Sequence, residues 1–377
     1  MENSKLDLKQ IIIYTGAIMA FTMGSGFATG QELLQYYCAH LYGMFGVGLF
    51  FALIMIWTNH LYAKAGRRNH FATGSDVYSY YCGPVIGNIF KFYSAVMCYM
   101  SMVVMVAGAA SAFNQHFGIP LMGGAIIMTV LIIITAVFGL MNIVNVIGRI
   151  GPFMIILTFF VGLVCLINNG SHIGEGMALV RSGEVQLLKA GHHWLEAAVT
   201  YGGYCVPWFA AFMTDLAGQG KYREVRIAHP IAFIINTAVS LVVGVAMFGV
   251  IRQVADVQIP NLVLASMIWA PLGLVFAIVI IAAIYTSATP LLWNSAKIFV
   301  QDDSSSKYKI IVVILAVIGM IIAMFFPYNI LMNYIYIFNG WIGFAFLLIM
   351  GARDIYFSRT GKYPPVVDMR SPESKSE

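Results

Sequence analysis

Charge is the scarcest commodity in this chain. Of 377 residues, 21 are Lys or Arg and 16 are Asp or Glu, so 10% are charged against 60% hydrophobic, and mean hydropathy is +0.82. That balance excludes an ordinary water-soluble domain, which needs far more charge to cover its surface. Cysteine is also sparse. Cys38, Cys82, Cys98, Cys165 and Cys205 form neither a CxxC nor a Cys/His pattern, so a disulfide scaffold and a zinc module are excluded and the five read as small packing residues. There is no phosphate loop, no HExxH, no Ser-centred elbow and no pair of carboxylates at membrane depth, which removes the usual enzyme signatures. No basic run is interleaved with aromatics, so nucleic acid is not an expected partner. No ring of charge or repeated filter sequence suggests a channel. No resident cofactor is expected.

What the chain has in quantity is apolar sequence of spanning length. Such runs fall near residues 9–36, 42–64, 85–114, 120–140, 146–168, 191–217, 227–251, 260–296, 310–326 and 328–351, which predicts an all-α polytopic membrane protein with about ten spans. The first run follows a polar leader, residues 1–8, without a small-residue cleavage site after a short apolar core, so it is expected to stay as span one. With loops assigned alternately to the two sides, 17 Lys or Arg fall on one side and three on the other, with Lys91 inside span three. Both termini, including the tail at 352–377, are therefore expected in the cytoplasm of a bacterial-type cell, with the protein in its inner membrane. The longest outer loop, residues 169–190, divides the array into five spans over 9–168 and five over 191–351, the plan of an inverted repeat. On the other side, the segment Ala65–Gly83 carries Ser75 to Tyr81, read as a short helix on the membrane surface.

Three stretches inside the spans are unlike plain lipid-facing helix. Span one carries Gly24-Ser25-Gly26. Such a run either opens the backbone beside a polar cavity or allows a close helix crossing. Span six carries Tyr201-Gly202-Gly203-Tyr204 with Pro207 one turn on, and a proline frees the carbonyl of Gly203, so spans one and six are both expected to be broken at mid-membrane, here at Tyr201–Gly203, with a proline kink and glycine packing as the alternative. Interrupted spans at matching positions of two halves are the best sequence pointer to a carrier's binding site. Span eight carries Thr286-Ser287 with Pro290 downstream. Clustered neutral oxygens suit a weakly held monovalent cation, while hydroxyls bonded back into their own helix are the plainer account. His192 and His193 sit beside Glu196 at the start of span six and read as a solvated helix start, being about 100° apart on a helix.

Together these motifs resemble the LeuT fold of the amino acid–polyamine–organocation superfamily, and the run from Gly24 to Glu32 is most similar to the bacterial YkvI-like membrane proteins. The resemblance covers about residues 9–351. It implies a secondary active transporter that works as a monomer in the bilayer, moving a small polar solute such as an amino acid or similar zwitterion by sodium-coupled symport. It places sodium among the carbonyls of Ala20, Met23 and Ala283 and the hydroxyls of Thr286 and Ser287. The solute's carboxylate is expected at Gly24, Ser25 and Gly26, with Tyr201, Gly202, Gly203, Tyr204 and Trp208 from span six and Tyr99 and Met102 from span three around it. The chain departs from many amino-acid carriers at Gln31-Glu32, where those have a gating Arg. Span five offers Arg149 in place of the lysine that proton-coupled relatives use, and an arginine is too basic to shuttle protons. Sodium is favoured on that ground. Glu32, Glu196 and Asp215 keep proton coupling open as an alternative, and a channel or a transporter-like sensor are further alternatives.

Overall fold

The computed structural model of the chain describes residues 6–22, 25–69, 71, 73–138, 141–300, 302 and 304–365, and nothing is stated of the side chains of Ser25, 138 or 141–152. Met23, Gly24 and the Arg149 side chain, all singled out above, lie outside the described residues. Among the described residues the chain folds as helices with no strand.

The helices run in order as α1 (Leu8–Thr22), α2 (Ser25–Thr29), α3 (Gly43–Arg68), α4 (Val77–Phe117), α5 (Leu121–Phe138), α6 (Met141–Asn169) and α7 (Ile173–Ser182). The second half holds α8 (Trp194–Gln219), α9 (Tyr222–Phe248), α10 (Ile251–Val254), α11 (Pro260–Ile268), α12 (Ala270–Ala296), α13 (Ser306–Phe325) and α14 (Tyr328–Thr360). Seven helices among the described residues are long and apolar enough to cross a membrane, and Leu8–Thr22 and Leu121–Val137 are shorter apolar helices. The helix α8, 26 residues, would extend about 39 Å at 1.5 Å per residue. Together these match the ten expected runs, with α7 as a short helix in the loop between the halves.

The break expected in span one at Met23–Gly26 falls partly on Met23 and Gly24, outside the described residues; α1 is described to Thr22 and α2 from Ser25. Ser25 and Gly26 themselves are helical. Span six corrects the expectation, because α8 is one helix through Tyr201–Gly203 and through Pro207. The glycines are there for contact. A methyl group on Gly203 would stand 2.0 Å from the Gly340 carbonyl oxygen of α14, one on Gly340 would stand 2.2 Å from the Thr200 carbonyl oxygen, and one on Gly343 would stand 1.9 Å from the Gly203 carbonyl oxygen. Two backbones this close are held by dispersion between small residues, the main attraction left once the surroundings are apolar. Gly202 faces Ile54 of α3 in the same way, so α8 is clasped between α3 and α14.

The expected surface helix is also corrected. Helix α4 bends at Gly83, φ +77°, immediately before Pro84, but the tyrosines ahead of the bend point into protein: Tyr78 and Tyr81 are buried and donate to the carbonyls of Pro207 at 3.2 Å and Leu61 at 3.0 Å. At the same end of the bundle, Lys221 reaches Asp7 at 2.8 Å and Lys64 reaches Asp354 at 2.7 Å. The Lys221 ammonium holds the Asp7 carboxyl below its usual range.

The packing account predicts the outcome of a simple substitution pair. Gly343→Val should lower stability by about 1–3 kcal/mol, the usual range for overpacking, whereas Gly170→Ala should change nothing, since no atom lies within 4 Å of an added methyl there. Thermal melts of both variants in detergent check this, and equal melting temperatures would contradict the close α8–α14 crossing.

Candidate functional site

The site is built from the second half of span one. After α2 the chain turns at Gly30, φ +91°, a left-handed conformation that glycine adopts without strain. The Gly30 N–H is bonded to the carbonyls of Gly26 and Phe27, both at 3.1 Å, and a π-helical turn, Leu33–Tyr37, follows. This reversal carries Glu32 back alongside α2. Glu32 is only 4% exposed, and its Oε2 accepts the Tyr201 hydroxyl at 2.6 Å. Its Oε1 lies so close to Gly26 that a methyl group on that residue would be 2.2 Å from it. Space expected for a substrate carboxylate at Gly26 is therefore occupied by the protein's own carboxyl group.

Span six supplies a wall of rings. Tyr201 is stacked with Phe51, centroids 4.5 Å apart, and lies 4.9 Å from Tyr36. Tyr204 stacks on Tyr336 at 3.9 Å, and its hydroxyl pairs with the Ser101 hydroxyl at 2.9 Å. Trp208 donates its indole N–H to the Phe21 carbonyl at 3.1 Å, just before α1 ends. Tyr201 and Trp208 thus meet span one, Tyr204 meets α4 and α14, and Gly202 and Gly203 are turned to α3 and α14. Tyr99 and Met102 are turned elsewhere: Tyr99 donates to the Leu315 carbonyl of α13 at 3.0 Å, and Met102 packs on Gly319 of the same helix. The face of α4 that meets the site carries Ser94, Cys98 and Ser101, spaced i, i+4, i+7. That polar stripe on an apolar helix was the signal the sequence offered for it.

Below these rings lies a cavity of about 950 Å³ lined by Gly16, Ala17, Ala20 and Phe21 of α1, Ser94, Met97 and Cys98 of α4, Pro207, Trp208, Ala211 and Phe212 of α8 and Thr286, Ser287 and Pro290 of α12. It extends to Ile12, Ser75 and Asn294, at the ends of their elements nearest the chain termini, and so opens toward that face. Three of the residues expected to hold a cation, Ala20, Thr286 and Ser287, share its wall. Thr286 donates to the Ala283 carbonyl at 3.0 Å, the back-bonded arrangement that needs no ion. Met23 lies outside the described residues.

The opposite face is sealed by neutral polar groups that the sequence analysis did not single out as a set. Gln31 donates to the Val257 carbonyl at 2.7 Å, Gln35 to the Asn329 carbonyl at 3.0 Å, and Asn333 to the Gln35 side chain at 2.9 Å. Asn261 donates to the carbonyls of Phe27 at 3.0 Å and Ala28 at 3.1 Å, while the hydroxyls of Thr29 and Tyr328 pair at 2.9 Å. The i, i+4 spacing of Gln31 with Gln35 and of Asn329 with Asn333 was the legible signal. Glu196, by contrast, caps the start of α8 by accepting the His192 N–H at 2.7 Å, and Asp215 is exposed, so neither lies with Glu32 at the site.

The Gly26–Glu32 contact predicts a measurable coupling. Gly26→Ala should displace the carboxyl and destabilise by about 1–3 kcal/mol, and combining it with Glu32→Ala should cost less than the sum by about 1 kcal/mol or more. Melts of the two single variants and the double variant in detergent provide the cycle, and strict additivity would contradict the contact.

Comparison with known proteins agrees with this geometry at the level of fold. No family model matches the chain. It is 23% identical over 359 residues to an uncharacterized membrane protein, YkvI, of Bacillus subtilis (strain 168), covering 92% of this chain and 96% of that protein. The structure is similar to that of MhsT in complex with L-phenylalanine, with a TM-score of 0.63, 15% identity and 96% and 91% of the two chains covered. It is also similar to the manganese transporter of Eremococcus coleocola, with a TM-score of 0.55, 13% identity and coverage of 97% and 91%. The chain therefore has the LeuT fold.

Proposed function

We propose that the protein is a secondary active transporter that carries a small polar solute by alternating access, and that the conformation described is the one open to the face bearing the termini. A single observation carries this reading: the cavity opens on one face and reaches Ala20 and Phe21 of span one, while hydrogen bonds from Gln31, Gln35 and Asn261 close the other. A pore would need continuity through both faces, and a carrier needs its two closures to alternate. On this reading the protein works as a monomer in a bacterial-type inner membrane with both termini in the cytoplasm. The solute bears an amino group, and amino acids or similar zwitterions are the first class to test, since one structural neighbour was solved with L-phenylalanine.

Sodium is the proposed coupling ion. This reading is supported by Ala20 of α1 and Thr286 and Ser287 of α12 lining one cavity; neutral oxygens suit a hard monovalent cation that must leave again, and an ion bridging the two elements would favour one arrangement of them. Coupling through a proton on Glu32 is the second reading, favoured by the burial of that carboxyl. Uptake of a radiolabelled solute panel into proteoliposomes under separately imposed sodium and proton gradients separates the two. We expect uptake to follow sodium, and Thr286→Ala with Ser287→Ala to raise the sodium needed by about tenfold, equivalent to about 1.4 kcal/mol. Uptake that follows the proton gradient and ignores sodium would overturn the sodium assignment, and unitary currents in bilayer recordings would overturn the carrier.

A further inference from the structure

Building on the carrier reading, we propose that Glu32 stands in for the carboxylate of a zwitterionic substrate, so that the solute is an organic amine with no carboxylate of its own. The first ground is the missing counter-charge. Glu32 is 4% exposed, and its carboxyl accepts the Tyr201 hydroxyl at 2.6 Å. None of the described ion pairs includes it. Buried carboxylates are normally matched by a cation, and an ionisable group within the membrane is a functional candidate by default. The matching charge here is supplied by what the protein carries.

The second ground is steric. The carboxyl lies on Gly26, where even a methyl group would be 2.2 Å from Oε1. A solute carboxylate directed at Gly26 would meet a fixed carboxylate at contact distance, and two like charges sharing one site disfavour each other strongly. A zwitterion is thus penalised at the position where its anionic end would go, while an ammonium group meets an acceptor already in place.

The third ground is the surrounding wall. Tyr36 and Tyr201 are 4.9 Å apart, Tyr204 and Tyr336 are stacked at 3.9 Å, and Trp208 is 6.2 Å from Tyr204. Ring faces attract organic ammonium groups, whereas a bare metal ion needs a shell of oxygens that rings do not furnish. Trp208 belongs to the cavity lining with the Tyr204 ring 6.2 Å from it, and on this proposal these two rings flank the way an amine takes from the cavity to Glu32.

The test uses matched pairs that differ by the carboxylate alone: phenylalanine with phenethylamine, tyrosine with tyramine, and leucine with isoamylamine. Thermal stabilisation of the full-length protein in detergent reports binding, and competition in proteoliposome uptake reports transport. At least one amine should act at a concentration tenfold or more below that of its amino acid, Glu32→Gln should remove that preference, and Glu32→Asp should retain part of it. The unliganded melting temperatures of the variants show whether they remain folded. Amino acids acting at lower concentrations than their amines, no response to any amine, or a folded Glu32→Gln variant with the preference intact would each overturn the proposal. Uptake of amino acids alone would overturn the amine assignment and leave the carrier standing. Amine-dependent stabilisation without uptake would do the reverse.

Discussion

The structure around the site depends on one contact, the Glu32 carboxyl lying on Gly26. It exists because residue 26 has no side chain and because Gly30, at φ +91°, reverses the chain so that Glu32 points back along α2. Tyr201 then has a fixed acceptor at 2.6 Å, which orients its ring between Phe51 and Tyr36 and ties span six to span one. Removing the carboxyl would leave the buried Tyr201 hydroxyl to find another partner, and an unmet buried polar group costs about 1–3 kcal/mol. A charged residue in the membrane is thereby a structural joint as well as a chemical one.

The two faces of the bundle are held by different physics. On the closed face the bonds from Gln31, Gln35, Asn261 and Asn333 are neutral amide contacts, each contributing about 0.5–1.5 kcal/mol net because water can replace the partner. Such a seal can open without separating charges. The α8–α14 crossing behaves differently. Gly203, Gly340 and Gly343 bring the two backbones into direct contact, and close packing of this kind moves as a unit instead of yielding gradually. Motion between states is therefore expected to displace span one and its seal relative to a stiff α3–α8–α14 core.

The spans were legible because a run of apolar residues long enough for a bilayer has few other uses, whereas the break expected at Gly24-Ser25-Gly26 is not seen at Ser25 and Gly26, which are helical. Span six was misread for a physical reason. Paired glycines followed by proline are the same letters whether the helix opens or a neighbour comes close, and the neighbours that decide it, Gly340 and Gly343, lie far along the chain. Tyr99 and Met102 were chosen by depth, but depth does not fix the face of a helix; the stripe Ser94, Cys98, Ser101 does. Glu32 stood out as an intramembrane carboxylate, yet its direction was set by the turn at Gly30, which sequence spacing alone does not orient.

The central claim is that the cavity beside α1 and the seal across Gln35 and Asn261 are two alternating closures of one pathway. Cys98 lies on the cavity wall, its thiol accepting from the Asn294 amide at 3.3 Å, so it reports access directly when the other four cysteines are replaced. The measurement is the rate at which a membrane-impermeant maleimide modifies Cys98 from the face bearing the termini, before and after the seal is weakened by Gln35→Ala with Asn261→Ala. Alternating access predicts ready modification in the parent and a several-fold slower reaction once the opposite face is released. An unchanged rate, or modification of Cys98 from both faces at once, would contradict the account.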